Sequence, residues 1–145
     1  MRFYHRYQSV DDEEVDPENF EISACQRYLI RMSPCTVYGL NREKSTIIKV
    51  LDIEGEPSGV YPSPFNYQLG SVAAVTYSGW LEVLVLVPNP TDKGKCGEVL
   101  LEITELKSDL EKIVWISPYH LLLVSVDERL YYLEIQSNKL LLPSP

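Results

Sequence analysis

Two imidazoles, His5 and His120, and three thiols, Cys25, Cys35 and Cys96, are the groups in this chain best suited to nucleophilic, acid–base or metal chemistry. Neither histidine has a Cys or Glu at metal-ligand spacing, and no two cysteines form a C-x-x-C pair. His120 follows Tyr119 in a Ser-Pro turn, where a surface turn residue explains it better than a catalytic base. Ser78-Gly79 belongs to no G-x-S-x-G motif or phosphate-cradling glycine loop and reads as a turn. Asp52, Glu102 and Glu134 each sit inside an apolar-acidic-apolar triplet, so a repeated structural position accounts for them better than acid–base pairing does. The expectation is a protein without an enzyme active site, metal or cofactor, and without a small-molecule substrate.

The elements that hold these residues belong to a chain of 145 residues with 45% hydrophobic and 23% charged residues. A chain of that size forms one domain that buries roughly 70% of the surface its unfolded form exposes. Its formal charge is −8. Asp11, Asp12, Glu13, Glu14, Asp16 and Glu18 crowd into one window, and no Lys/Arg-rich stripe balances them. Nucleic acid is therefore disfavoured as a direct ligand, because phosphate binding needs clustered cations. The apolar runs stop short of the roughly 18 residues a membrane helix requires, so no membrane contact is expected. Met1 to Tyr7 carries two arginines without a following apolar region, unlike a signal peptide. Three cysteines cannot all pair within the chain, which favours reduced thiols and an intracellular location, cytoplasmic or nuclear.

Residues 1–16 read as an acidic, flexible arm, and 17–145 as a single β domain. Asp16-Pro17-Glu18 fits the start of a short helix reaching about residue 23 or beyond, with Asp as N-cap and Pro at the first helical position. The alternation of Phe20, Ile22 and Ala24 fits a strand equally well, and both readings stand. From Thr36 onward strand signals dominate: 36–40, 45–53, 72–77, 81–87, 98–105, 112–116, 121–126 and 130–135. Residues 54–71 hold three prolines and three glycines and read as a surface loop with a short edge piece. A further strand over 139–142 closes the chain in this reading.

The last two groups of strands align at an offset of 39, with Val75 on Val114, Ser78 on Ser117 and Leu84 on Leu123. Met32-Ser-Pro34 aligns with Ile116-Ser-Pro118, and Leu51-Asp-Ile53 with Leu133-Glu-Ile135. Units lie near 28–53, 72–105 and 112–136, with turns near 33, 78 and 117 spaced 45 and 39 apart. The segment Val114 to Ile135, with Asp127 at the tight turn before its last strand, resembles a WD40-family propeller blade. Such blades repeat every 40 to 45 residues or so. The resemblance covers residues 28–136 and departs from the family pattern: no Gly-His pair precedes a unit, and Leu-Asp, Ile-Thr and Leu-Glu stand where Trp-Asp would. It implies a mainly β fold of antiparallel meander units forming a partial propeller; a β-sandwich or small barrel is the alternative. A closed propeller has about four to eight blades, so three units imply exposed sheet edges.

Those edges point to a non-enzymatic interaction module, a scaffold or complex subunit that pairs with a protein partner or with itself. The competing reading is a small acidic inhibitor or immunity-type protein masking a basic site. Candidate interaction residues are Asp11, Asp12, Glu13, Glu14 and Asp16, together with the aromatics Trp80 and Tyr119. Core packing competes with partner contact for Trp80 and Trp115. Tyr131 and Tyr132 lie on opposite faces of one strand, so at most one enters the core.

Overall fold

Between Val72 and Leu86 the only charged residue is Glu82, and aliphatic residues occupy both alternating positions of the two strands predicted there. Strands apolar on both faces belong in the middle of a stack. A computed structural model, which describes residues 8–9, 20–41, 43–88, 95–136 and 140, places them there.

Three sheets form in chain order. The first contains β1 (Gln8–Ser9), β2 (Phe20–Ile22), β3 (Tyr28–Met32), β4 (Cys35–Asn41) and β5 (Thr46–Asp52), ordered β1-β5-β4-β3-β2. The second is β6 (Gly59–Pro62), β7 (Gly70–Tyr77), β8 (Trp80–Pro88) and β9 (Val99–Ile103), and the third β10 (Leu110–Ser117), β11 (His120–Ser125) and β12 (Leu130–Glu134), each in sequence order. All pairings are antiparallel except the short β1–β5 contact. Three separate sheets are neither the two layers of a sandwich nor the closed sheet of a barrel.

The second sheet is the filling. Ala73, Val75, Tyr77, Leu84 and Leu86 meet Tyr28, Ile30, Val37 and Ile53 of the first sheet and the segment after it. The intervening residues Val72, Ala74, Leu81, Val83 and Val85 meet Ile113, Leu121 and Leu123 of the third, with Ile135 and Leu140. The period of two along each strand divides one apolar run between two cores. Each Val or Leu fully withdrawn from water contributes about 1.5–3 kcal/mol, so this hairpin ties all three sheets together.

Several expectations need correction. Phe20–Ile22 and Tyr28–Met32 are strands paired with each other, so the helix reading fails over these residues; cross-strand pairing overrides the Asp-Pro cap signal. Residues 17–19 lie outside the described residues. Residues 54–71 do contain the short edge strand, β6, but Val60, Tyr67 and Leu69 are buried, so the segment is partly core rather than surface loop. Of the arm over 1–16, only Gln8 and Ser9 are described, and they pair with Thr46 and Ile47. Of the strand expected over 139–142, only Leu140 is described; it is fully buried and helical rather than extended. The hairpin pairs Met32–Cys35, Tyr77–Trp80 and Ser117–His120 enclose the turns Ser33-Pro34, Ser78-Gly79 and Pro118-Tyr119. Ser117 thus flanks its turn where Ser33 and Ser78 lie within theirs. A bulge between Trp115 and Ser117 absorbs the extra residue. Asp127 lies in the turn between β11 and β12, where it accepts a hydrogen bond from the Ser125 hydroxyl.

Leu81→Ala removes a side chain at the second–third sheet contact and should cost about 2–5 kcal/mol in denaturant unfolding, whereas Leu130→Ala, on the open side, should stay within about 0.5 kcal/mol. Equal losses at the two positions would contradict the stack.

Candidate interaction surface

β11 alternates strictly: Leu121, Leu123 and Ser125 are buried, and His120, Leu122 and Val124 point the other way. Cross-strand register extends that second set into rows. Val114, Leu122 and Tyr132 stand side by side, as do Lys112, Val124 and Leu130. An antiparallel sheet facing water carries polar residues on its outer side. Here the outer side is largely aliphatic and aromatic, with Leu130 66%, Tyr132 65% and Val114 38% exposed. The bulged Ile116, 50% exposed, adjoins it. The His120 ring stacks on Tyr132 at 5.3 Å.

The far side of the first sheet is built differently. Arg31 Nη2 donates to Thr36 Oγ1 at 3.0 Å, and that hydroxyl donates to Asp52 Oδ1 at 3.0 Å. Lys49 Nζ lies 2.8 Å from Asp52 Oδ2. The Lys49 contact, helped by Thr36 and opposed by burial, holds the Asp52 carboxyl below its ordinary value. The apolar Tyr38 and Ile47 of that sheet are buried. Only the third sheet, among the described residues, leaves a broad aliphatic face uncovered.

A second feature adjoins it. Among the described residues β10 is an edge strand, and a groove of about 370 Å³ lies beside it, lined also by β6 and the β2–β3 turn. Tyr61 bridges the two sheets there: its hydroxyl donates to the Glu111 carbonyl at 3.2 Å, and its carbonyl accepts the Trp115 indole N–H at 2.9 Å.

The residues singled out in the sequence are scattered. Trp80 is half-buried and stacks on Tyr77 at 3.9 Å with 5° between the rings, packed on the first–second sheet core. Tyr119 is half-buried against the other core. Neither meets the open face. Asp11, Asp12, Glu13, Glu14 and Asp16 lie outside the described residues, as does His5. Ser117 Oγ lies 2.5 Å from His120 Nδ1 and also accepts the Tyr119 amide at 3.3 Å, so it closes the turn. Asp52, Glu102 and Glu134 stand opposite Thr36, Glu82 and His120, which are the second, third and first residues of their strands; they share a strand position loosely and no register. Among the described residues no group of three His, Cys, Asp or Glu is placed to hold a metal ion.

Val114, Ile116, Leu130 and Tyr132 went unnoticed as candidates because both faces of the third unit read as apolar. The one signal was the Tyr131-Tyr132 pair: Tyr131 opposes the buried Leu123, and Tyr132 points outward.

No protein-family model, curated protein or solved structure matches this chain. The fold and surface define a stack of antiparallel β-meander sheets with one open apolar face.

The three thiols are free and differ sharply. For Cys25, burial works upward, but hydrogen bonds with Ser23 and Arg27 outweigh it and bring the thiol below its ordinary value. Burial pushes Cys35 up to about 11, with Arg31 opposing, and raises Cys96 as well. Because the thiolate is the reactive form, iodoacetamide should modify Cys25 at the lowest pH and Cys35 only near pH 11, followed by mass spectrometry. Early modification of Cys35 would contradict this packing.

Proposed function

We propose that this chain is a non-enzymatic protein-interaction module, a scaffold or subunit of a multiprotein complex, and that its partner covers the outer face of the third sheet. The observation that carries the reading is that face itself. Both faces of the second sheet are covered by neighbouring sheets. The third sheet has the same kind of side chains on its far side, and among the described residues nothing lies over them. Monomeric soluble proteins rarely leave contiguous apolar patches beyond a few hundred Å² without a binding role.

The stack also supports a partial propeller of the WD40 kind. Meander sheets follow one another in chain order, and each packs face to face on the next. Three sheets fall short of the four or more blades that close a ring. A second copy or another β protein would supply the missing ones. Free Cys25, Cys35 and Cys96 favour a reducing compartment, and hence the cytoplasm or nucleus.

The double variant Leu130→Lys with Tyr132→Lys changes two exposed side chains and should leave unfolding within about 1 kcal/mol of wild type. In light scattering and affinity purification, the wild-type chain should appear in a complex or self-associate, and the variant should run as a free monomer. A monomeric wild type, or a complex indifferent to both lysines, would overturn the proposal.

A further inference from the structure

In each of the first two sheets a short strand precedes the hairpin, and among the described residues the third sheet has no counterpart. β2 has three residues and pairs with β3; β6 has four and pairs with β7. β10 corresponds to β3 and β7 as the first arm of the hairpin, yet nothing in this chain pairs with its outer edge among the described residues. The linker between β9 and β10 is engaged elsewhere. The Leu106 amide donates to the Gly79 carbonyl at 2.8 Å, and Asp109 Oδ1 accepts the Gly79 amide at 3.0 Å. The Asp109 carbonyl accepts the Val126 amide at 2.9 Å, and the Ser108 hydroxyl donates to Asp127 at 3.1 Å. Residues 106–109 are thereby tied to two hairpin turns and cannot run along β10.

This edge has defined limits. Register shifts between Leu110 and Lys112 and between Trp115 and Ser117 bound a regular stretch, Lys112–Trp115. Its length matches β2 and β6. Bulges at both ends discourage the long pairing that leads to aggregation, while a short strand still fits between them. The groove is lined by this whole stretch together with Ile22, Ala24, Cys25, Ile30 and Val60, and Glu21 adds a charge to it. Its volume lies in the roughly 300–1,000 Å³ range of binding clefts. Added strands gain affinity from main-chain hydrogen bonds and specificity from pockets that take alternate side chains.

We infer that the β10 edge accepts one short extended segment of a partner protein, aliphatic at alternate positions, laid antiparallel to Lys112–Trp115 as the missing first strand of the third sheet. The inference rests on the interaction-module reading and continues the ladder β12-β11-β10 by one strand. The segment's apolar side chains occupy the groove, and its backbone pairs with the outward hydrogen-bonding groups of the edge.

A blocked peptide with the sequence of residues 19–24, which contains β2, serves as the probe, with a scrambled peptide as control. Added to the isotope-labelled full chain, it should shift the backbone amide resonances of Lys112–Trp115. At a concentration about ten times its Kd it should slow alkylation of Cys25 about tenfold, with Cys96 unaffected. Ala24→Trp, at an exposed residue on the groove wall, should abolish both effects, while Leu130→Lys with Tyr132→Lys should preserve them. No shift at Lys112–Trp115 at millimolar peptide, shifts centred instead on Leu122 and Tyr132, or binding that survives Ala24→Trp would overturn the inference. Such a result together with a complex still dissolved by the outer-face lysines would leave the interaction reading standing; peptide binding at the edge with a complex indifferent to those lysines would remove the outer-face reading alone.

Discussion

The hairpin β7–β8 has no side it can turn to water. Ala73, Val75, Leu84 and Leu86 fill one face and Val72, Ala74, Val83 and Val85 the other, all buried. A sheet of this kind requires cover on both faces, and at about 25 cal/mol per Å² of apolar surface the penalty for leaving either bare exceeds what a small domain can tolerate. The first and third sheets supply that cover. Their own inner faces, the turns that connect them and the position of the groove all follow from this demand. Even the one buried carboxylate in the hairpin is provided for, since Glu82 accepts a hydrogen bond from the Tyr77 hydroxyl at 2.9 Å. A buried carboxylate without such a partner would cost several kcal/mol.

The two covering sheets end the stack in different ways. On the first, the Arg31–Thr36–Asp52–Lys49 network spreads charge over the far side, and its large aromatic, Tyr38, is buried with Phe20 at 5.6 Å between ring centroids. On the third, Val114, Leu122, Val124, Leu130 and Tyr132 extend an aliphatic surface like those inside. The contrast gives the molecule a direction: one end finished, the other continuing. The groove beside β10 belongs to the continuing end, because among the described residues the same sheet has neither a covering layer nor a strand outside β10.

Much of the architecture was legible along the chain. The eight predicted strands match β4, β5 and β7 to β12 within about two residues at each end, since β-branched and aliphatic runs bounded by Gly, Pro, Ser and Asp turn residues mark strands. The Leu-Asp-Ile and Leu-Glu-Ile triplets correctly marked the last strand of a unit. The shorter strands were harder: β6 lies among Pro57, Pro62 and Gly59, and β2 follows a helix-cap pattern at Asp16-Pro17, and strands of three or four residues are too short for periodicity to outvote such local signals. The open face was not legible. Trp80 and Tyr119 drew attention as large aromatics, and both serve the cores.

The sequence by itself determined that the chain would form β-meander units with turns near residues 33, 78 and 117, because strand propensity and turn chemistry act between neighbours along the chain. It also determined which side chains share a face, such as Leu130 with Tyr132. Only the tertiary structure decided which face of each sheet is covered, since both faces of the third unit are apolar and a period of two cannot tell inside from outside. The course of the linker after β9 was likewise decided in three dimensions: it spends its hydrogen bonds on distant turns rather than along β10, a choice that no local pattern encodes.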